Sequence, residues 1–293
     1  MNQLSLERRA AIVRALVEGN SIRATCRMTG TAKNTVIKLL VDLGEMCSVY
    51  QHHTLRGLAA KRIQCDEIWS FVGAKARAVK HGAKGDGDVF TWTALDADTK
   101  LMISWLVGRR DQGAARAFMN DLASRVVGRP QLTTDGHNAY LSAVDEAFGW
   151  RTDYAMLVKV YERQRDEGAV RYSPPEVIRA DKVPQWGNPD PDYISTSFVE
   201  RANLTMRMGM RRFTRLTNAF SRKVENHAHA VALHFMHYNF CRPHTTLTQA
   251  HPRHYPTTPA MAAGLTDHVW TVEEVCGLIA DDVLIGAGQH SLR

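Results

Sequence analysis

Nothing in this sequence of 293 residues approaches the run of about 20 apolar residues that a membrane-spanning helix needs. The opening stretch, MNQLSLERRAAIV, holds no apolar signal core, so a cytoplasmic location is expected. The cysteines (Cys26, Cys47, Cys65, Cys241 and Cys276) are scattered, odd in number and without a CxxC pair. That excludes a disulfide framework or a structural zinc site as the organising principle, and predicts reduced, mostly buried thiols. Charge is not scarce. Lys and Arg number 37 against 30 Asp and Glu, a formal balance of +7 that favours a polyanionic partner. Hydrophobic residues at 44% and charged residues at 23% suit a soluble globular chain, long enough to bury a substantial core in one large domain or two unequal ones.

Residues 5–18 (SLERRAAIVRALVE) read as an amphipathic helix, with Leu6, Ala10, Val13 and Val17 on one stripe and Gly19-Asn20 as its stop. Ser21 can cap a second helix, SIRATCRMT, which turns Ile22, Thr25 and Cys26 inward. Gly30 supplies a tight turn, and Thr31 can cap a third helix, TAKNTVIKLLVDL, with Val36, Leu40 and Leu43 facing a core. A short helix, a Gly-containing turn and a capped helix with a polar start form the helix-turn-helix pattern, whose second helix enters the major groove. Thr31, Lys33, Asn34 and Thr35 are then placed at the base edges, with Arg23 and Lys38 within reach of phosphates. The segment resembles the helix-turn-helix of many bacterial regulators and transposases. Residues 46–62 read as a connector, with Tyr50, His52 and His53 packed or solvated rather than forming a site.

From residue 63 the chain changes character. KRIQCDEIWSFVG, DVFTWTALD and LMISWLVG are strand-like, separated by the polar loop 75–88 and the turn Asp96-Ala97-Asp98-Thr99. A helix at 111–127, the short strand QLTTDG, the helix HNAYLSAVDEAF and the strand TDYAMLVKVY follow. Three antiparallel strands, then helix, strand, helix, strand and more helix is the order of the ribonuclease H-like fold, an α/β mixed sheet flanked by helices. Asp66 lies within the first strand and Asp135 ends the fourth, so neighbouring parallel strands would set both carboxylates at one sheet edge, where ligand sites prefer to lie. An Asp flanked by Cys65 and Ile68-Trp69 is costly to bury without a partner, and a metal ion is a natural one.

A third carboxylate comes from ISTSFVERANLTMRMGMRRFTRL. Read as a helix capped by Ser197, it carries Glu200, Asn203, Arg207 and Arg211 on a polar stripe and Val199, Ala202, Met206 and Phe213 on a core face. Asn203, Arg207, Arg211, Arg212 and Arg215 form a basic surface suited to a DNA backbone. Between Asp135 and this helix, residues 161–193 are charged, rich in Pro and without apolar periodicity, and read as a long loop or insertion. Glu176 within it competes with Glu200 for the third position. In the final long helix, 223–240, His227, His234 and His237 flank Val231, Phe235 and Tyr238; packing explains them better than a metal site. Residues 265–293 carry one more small apolar segment.

CDEIWSFVG, WTALDADTKLMISWLVGRRD, LTTDGHNAY, SFVERANLTMRMGMRRFTRLTNAFSRK, HYNFCRPHTTL and TPAMAAGL, in this order, resemble the DDE transposases of bacterial insertion sequences, with an integrase-like core. The resemblance spans most of the chain, departs from the simpler pattern in the long stretch before Glu200, and lacks the N-terminal zinc finger of some relatives. It implies Asp66, Asp135 and Glu200 as the metal-holding triad, with Glu67 and His244 as supporting positions. Adjacent strand residues point to opposite faces, which sets Glu67 apart from Asp66. It also implies a pair of Mg²⁺ or Mn²⁺ ions, double-stranded DNA as terminal repeats and target, a homodimer or larger assembly, and a place at the bacterial nucleoid. The expected organisation is a DNA-binding head at 1–45, a linker at 46–62, a catalytic domain at 63–264 and a tail at 265–293. A nuclease or resolvase of the same fold, or a domesticated DNA-binding protein without catalysis, is the competing reading. A serine or tyrosine recombinase is disfavoured, since no Ser or Tyr sits in a matching context.

Overall fold

A computed structural model describes residues 4–82, 84–161, 177–214 and 218–285. Ser5 and Ser21 start the first two helices by accepting the backbone N–H of Arg8 and Ala24 at 3.3 and 3.1 Å, so each satisfies an amide the helix leaves unpaired. Helix α1 spans Leu6–Val17 and α2 Ile22–Thr29. Gly30, at φ 63°, then turns the chain in a left-handed conformation that a Cβ would oppose. Helix α3 spans Lys33–Thr54. Thr31 does not cap it: Ala32 takes that place, and Thr31 is buried with its hydroxyl on the Thr29 carbonyl.

Helix α3 runs unbroken through much of the stretch expected to be a linker. The stripe Val36, Leu40, Leu43 continues at helical spacing into buried Cys47 and Gln51. Gln51 hides the continuity because it is polar. Its amide donates to the Cys47 and Ala232 carbonyls at 3.0 and 3.3 Å, and its oxygen accepts from Asn239 at 3.2 Å.

Strand β1 (Arg62–Val72), the short helix α4 (Ala76–Val79), β2 (Gly87–Asp96) and β3 (Met102–Gly108) form an antiparallel meander. Helix α5 (Gln112–Arg125), β4 (Gln131–Asp135), α6 (Ala139–Phe148), β5 (Asp153–Tyr161) and β6 (Val177–Trp186) follow. Strand β4 lies parallel to β1, and β5 parallel to β4, in a six-stranded sheet ordered β3-β2-β1-β4-β5-β6. Helices α5 and α6 pack together beside β3, while α7 (Ser197–Gly209) lies on β1 and β2. This is the ribonuclease H-like mixed sheet with flanking helices.

Strand β6 corrects the reading of 161–193 as a loop. Residues 177–186 pair antiparallel with β5 along the sheet edge. They are exposed almost throughout and contain Pro184, so the strand has no buried face to imprint a period-two pattern, and proline is tolerated at an edge. Residues 162–176, Glu176 among them, lie outside the described residues.

Helix α8 (Val224–Met236) packs on α3 and β3 and ends in a π-turn, His237–Cys241. There Asn239, fully buried, accepts from Met102 N–H at 2.9 Å and donates to Met102 C=O at 3.0 Å, tying the turn to β3. Helices α9 (Thr245–Ala250), α10 (Pro259–Ala262) and α11 (Val272–Ile285) complete the chain. The last is no loose tail. It folds back on α1 and α3, burying Val275 and Cys276; Arg14 pairs with Glu273, and the Arg9 guanidinium donates to the Cys276 carbonyl at 3.3 Å. One apolar core therefore runs from Ile12 and Leu43 through Ile63, Trp92 and Phe118 to Phe235. Among the described residues no helix is long and apolar enough to cross a membrane.

The head is joined to the body where α3 crosses α8. A Cβ on Gly44 would stand 2.5 Å from both the Cβ and the carbonyl oxygen of His229, so only glycine allows this approach. Gly44→Ala should lower stability by about 1–3 kcal/mol through overpacking. Gly277→Ala, in α11, meets nothing within 4 Å and should be neutral or stabilising. Thermal denaturation of the two variants checks the pair; equal melting temperatures would contradict the tight crossing.

Candidate active site

Strands β1 and β4 are last paired at Gln64 and Thr133, and two residues further along each stand Asp66 and Asp135. The register thus delivers both carboxylates to the same edge. Glu67 joins them: one carboxylate oxygen from each of Asp66, Glu67 and Asp135 lies within 4.8 Å of the others, the one such acidic, His or Cys group among the described residues. Strand parity predicts Glu67 on the far face. Instead the Arg110 guanidinium, from the β3–α5 connection, gathers it in, donating through Nε to Glu67 Oε2 at 3.0 Å and through an Nη to Asp135 Oδ2 at 3.2 Å.

Each carboxylate is oriented. Asp66 Oδ2 accepts from Asn203 Nδ2 at 2.9 Å, and the Thr93 hydroxyl lies 3.2 Å from Asn203 Oδ1 and 3.0 Å from the Asp66 carbonyl. Asn203, expected on DNA, is only 5% exposed and its amide is committed to Asp66: it aims a carboxylate rather than reading a groove. Asp135 Oδ1 accepts the His137 N–H at 3.0 Å, and the His137 ring lies against Trp92 and Tyr140. Gly136 between them lets β5 come close, since a Cβ there would meet Val158 Cγ2 at 3.3 Å.

Glu200 stands apart from that tight group. It opens the first turn of α7, where Lys159 and the Thr196 hydroxyl hold its carboxylate, yet it lines the same cleft of about 840 Å³ as Asp66, Glu67 and Asp135. Ser197 does not cap α7. The buried Gln64 does so from β1, its Oε1 accepting Phe198 N–H at 2.8 Å and Val199 N–H at 3.1 Å. Gln64 lies two residues before Asp66, so one strand both carries a carboxylate and sets the start of the helix that carries Glu200.

The electrostatics follow from burial. The Asp66 carboxyl is pushed up to about 6 by desolvation, against the pull of the Asn203 bond, with Asp135 adding to the rise. Glu67 rises to about 7, chiefly through burial and then through Asp135, while Tyr140 and Arg110 draw it down. The Glu67 side chain is 2% exposed, and although Tyr140 lies close, neither Glu67 Oε1 nor the Tyr140 hydroxyl has a hydrogen bond of normal geometry. Burial and Arg110 lower His137 and favour its neutral ring. A concentrated, partly unsatisfied set of carboxylate oxygens is the donor chemistry of a hard divalent cation.

A second cleft, of about 810 Å³, opens between the head and residues 211–212 and 218–222. Arg23, Lys33, Arg211, Arg212 and Arg222 line it, and among the described residues its lining holds no carboxylate. Lys33, Asn34 and Lys38 are exposed at the start of α3, with Lys38 paired to Asp42 at 2.5 Å; Thr35 is half-buried. Arg212 does not project outward. Its guanidinium donates to Ser221 Oγ at 2.6 Å, and Ser221 contacts His227 Nδ1 at 3.0 Å. Burial lowers Arg212 to about 10. Arg207 lines the acidic cleft, and Arg215 lies outside the described residues. His244 does not line the acidic cleft; it precedes α9, with Lys100 and Arg242 nearby. His227 and His234 are buried and driven to about 3, so both pack as neutral rings.

Sequence reasoning missed Arg110, Lys159 and Gln64. The Arg109-Arg110 pair after β3 is a usable signal, because β3 and β1 end on related edges; Lys159 and Gln64 carry no local sign of their role. No curated protein matches the chain. A family model described as a DDE domain matches residues 84–169, from the turn before β2 to beyond β5, and so takes in Asp135 but not Asp66 or Glu200. A ribonuclease H-like sheet that brings Asp66 and Asp135 together from adjacent parallel strands, matched over that stretch by a DDE-domain model, makes the chain similar to the DDE transposases of insertion sequences.

Proposed function

We propose that this chain binds the ends of a mobile element as double-stranded DNA and catalyses metal-dependent cleavage followed by 3′-end strand transfer. The observation that carries the reading is the meeting of Asp66 and Asp135 at one sheet edge, with Glu200 on the wall of the same cleft. The donor set fits the group that such chemistry requires: oxygens of Asp66 and Asp135, with Glu200 once it parts from Lys159, suit Mg²⁺ or Mn²⁺. Bound there, a pair of such ions would activate water or a 3′-hydroxyl and offset charge on the attacking and leaving oxygens.

The chain's own residues supply positioning. Asn203 fixes the Asp66 carboxylate, the His137 amide fixes Asp135, and Thr196 restrains Glu200. Trp92, Phe118, Tyr140 and Tyr154 keep water from behind the carboxylates. The basic cleft suits a duplex backbone held between head and body, with Arg23 and Lys33 on one bank and Arg211 and Arg222 on the other. Asn34 and Thr35, at the start of α3, are the candidates for base edges. Strand transfer joins two ends to a target, so we expect a dimer or larger assembly on DNA.

Incubation of the protein with a labelled element end and Mg²⁺ or Mn²⁺ tests the reading. Cleavage followed by joining of the labelled 3′ end to a second duplex is the expected result. Cleavage without joining would support a nuclease or resolvase, and DNA binding without cleavage a regulator.

A further inference from the structure

The acidic cleft carries a cation of its own in Arg110. Asp66, Glu67 and Asp135 bring three carboxylates within 4.8 Å, and Arg110 lies across two of them, at 3.0 Å from Glu67 and 3.2 Å from Asp135. Its backbone is pinned on both sides. The Trp92 indole N–H donates to the Arg109 carbonyl at 3.0 Å, and Asp111 caps α5 by accepting the Ala114 N–H at 2.9 Å. Its side chain, held by those two pairs, is 39% exposed, whereas that of Glu67 is only 2% exposed. A partly exposed cation on a fixed stem thus pairs with one buried carboxylate, Glu67, and with one open to the cleft, Asp135.

We propose that Arg110 is a resident counter-ion that exchanges with the incoming metal, leaving Asp135 while keeping its hold on Glu67, and then offers its free edge to a phosphate oxygen of the DNA. The proposal rests on the metal reading above and concerns what precedes it. A divalent ion on Asp135 puts two like charges on one carboxylate, and repulsion at that distance exceeds what a partly exposed ion pair contributes. The guanidinium has somewhere to go, because Glu67 Oε2 remains bonded to Nε while the two Nη groups turn to the cleft. That planar fork matches phosphate geometry, which a lysine would not reproduce. Glu67 then acts as the anchor of the exchanging arginine, which accounts for an acidic residue buried beside the metal-binding pair.

Mn²⁺ binding to the full chain, followed by electron paramagnetic resonance without DNA, separates the possibilities. Arg110→Gln should bind Mn²⁺ about three- to tenfold more tightly than wild type, since no guanidinium must be displaced. Its affinity for the labelled duplex in the presence of Ca²⁺ should nonetheless fall, because the phosphate contact is lost, and Arg110→Lys should restore the charge but only part of the DNA affinity. An Asp135→Asn control, with weakened Mn²⁺ binding, places the ion at this cleft. Equal or weaker Mn²⁺ binding by Arg110→Gln overturns the exchange alone. Absence of Mn²⁺ binding in both proteins overturns the metal reading and the exchange with it. Should Arg110→Gln not fold, the nitrogen-15 resonance of Arg110 Nη groups in wild type should shift on adding Mg²⁺; a resonance that stays put overturns the proposal.

Discussion

Asp135→Asn and Asp66→Asn variants should cleave DNA at least about a thousandfold more slowly than wild type, because a metal ligand acts on transition-state charge worth several kcal/mol and each 1.36 kcal/mol is tenfold in rate. The substitutions are nearly isosteric. The carboxamide introduced at position 135 keeps an oxygen to accept from the His137 amide, and the one introduced at position 66 keeps an oxygen for Asn203. The fold should therefore survive, and metal-free Asp66→Asn should be as stable as wild type or more so, since a buried charge has been removed. Loss of activity with an undiminished melting temperature would separate a chemical role from a structural one. Full cleavage activity in Asp135→Asn would sink the assignment. Glu200→Gln should follow the aspartates, whereas Glu67→Gln should retain measurable cleavage, because Glu67 is held by Arg110 and its side chain is only 2% exposed, against 39% for Glu200.

The second large effect is on stability with pH. Asp66 and Glu67 have folded values of about 6 and about 7, raised above the ordinary 3.8 and 4.5. Between these limits the native state holds protons that the unfolded chain has lost, so metal-free stability falls as pH rises from about 4 to about 7. For Asp66 alone the loss is of the order of 3 kcal/mol. A divalent ion reverses the trend, since it needs the ionised carboxylates and its binding releases protons. Melting temperatures at pH ~5 and ~8, with and without Mg²⁺, should therefore show a metal gain that is small in acid and several degrees larger in mild alkali. A metal gain that shrinks as pH rises would contradict the site.

Much of this was open to reading in the sequence, for reasons that can be stated. Asp66 is legible because it interrupts an apolar strand, Asp135 because it closes a short one, and the adjacency of β1 and β4 sets the two side by side. Glu200 is legible as a carboxylate in the first turn of an amphipathic helix, but its tether to Lys159 depends on β5, and no local pattern shows it. Glu67 is hidden by strand parity, which is sound within one strand but takes no account of an arginine reaching in from the next connection. Asn203 reads as solvent-facing because it shares a stripe with Arg207 and Arg211; only the packing of α7 on β1 turns it to Asp66. The unity of head and body escapes the sequence at Gln51, a polar residue that ends an apolar stripe while being fully buried, and at Gly44, whose meaning lies in His229 far along the chain. Strand β6 is illegible because an edge strand exposed on both faces has no hydrophobic period.

A crystal soaked with Mn²⁺ and measured at the manganese edge would locate the metal among these carboxylates. Anomalous density is expected between the Asp66 and Asp135 carboxylates, with Arg110 withdrawn from Asp135 and Glu200 released from Lys159. Density confined to other carboxylates, with the Arg110–Asp135 pair intact, would contradict that placement.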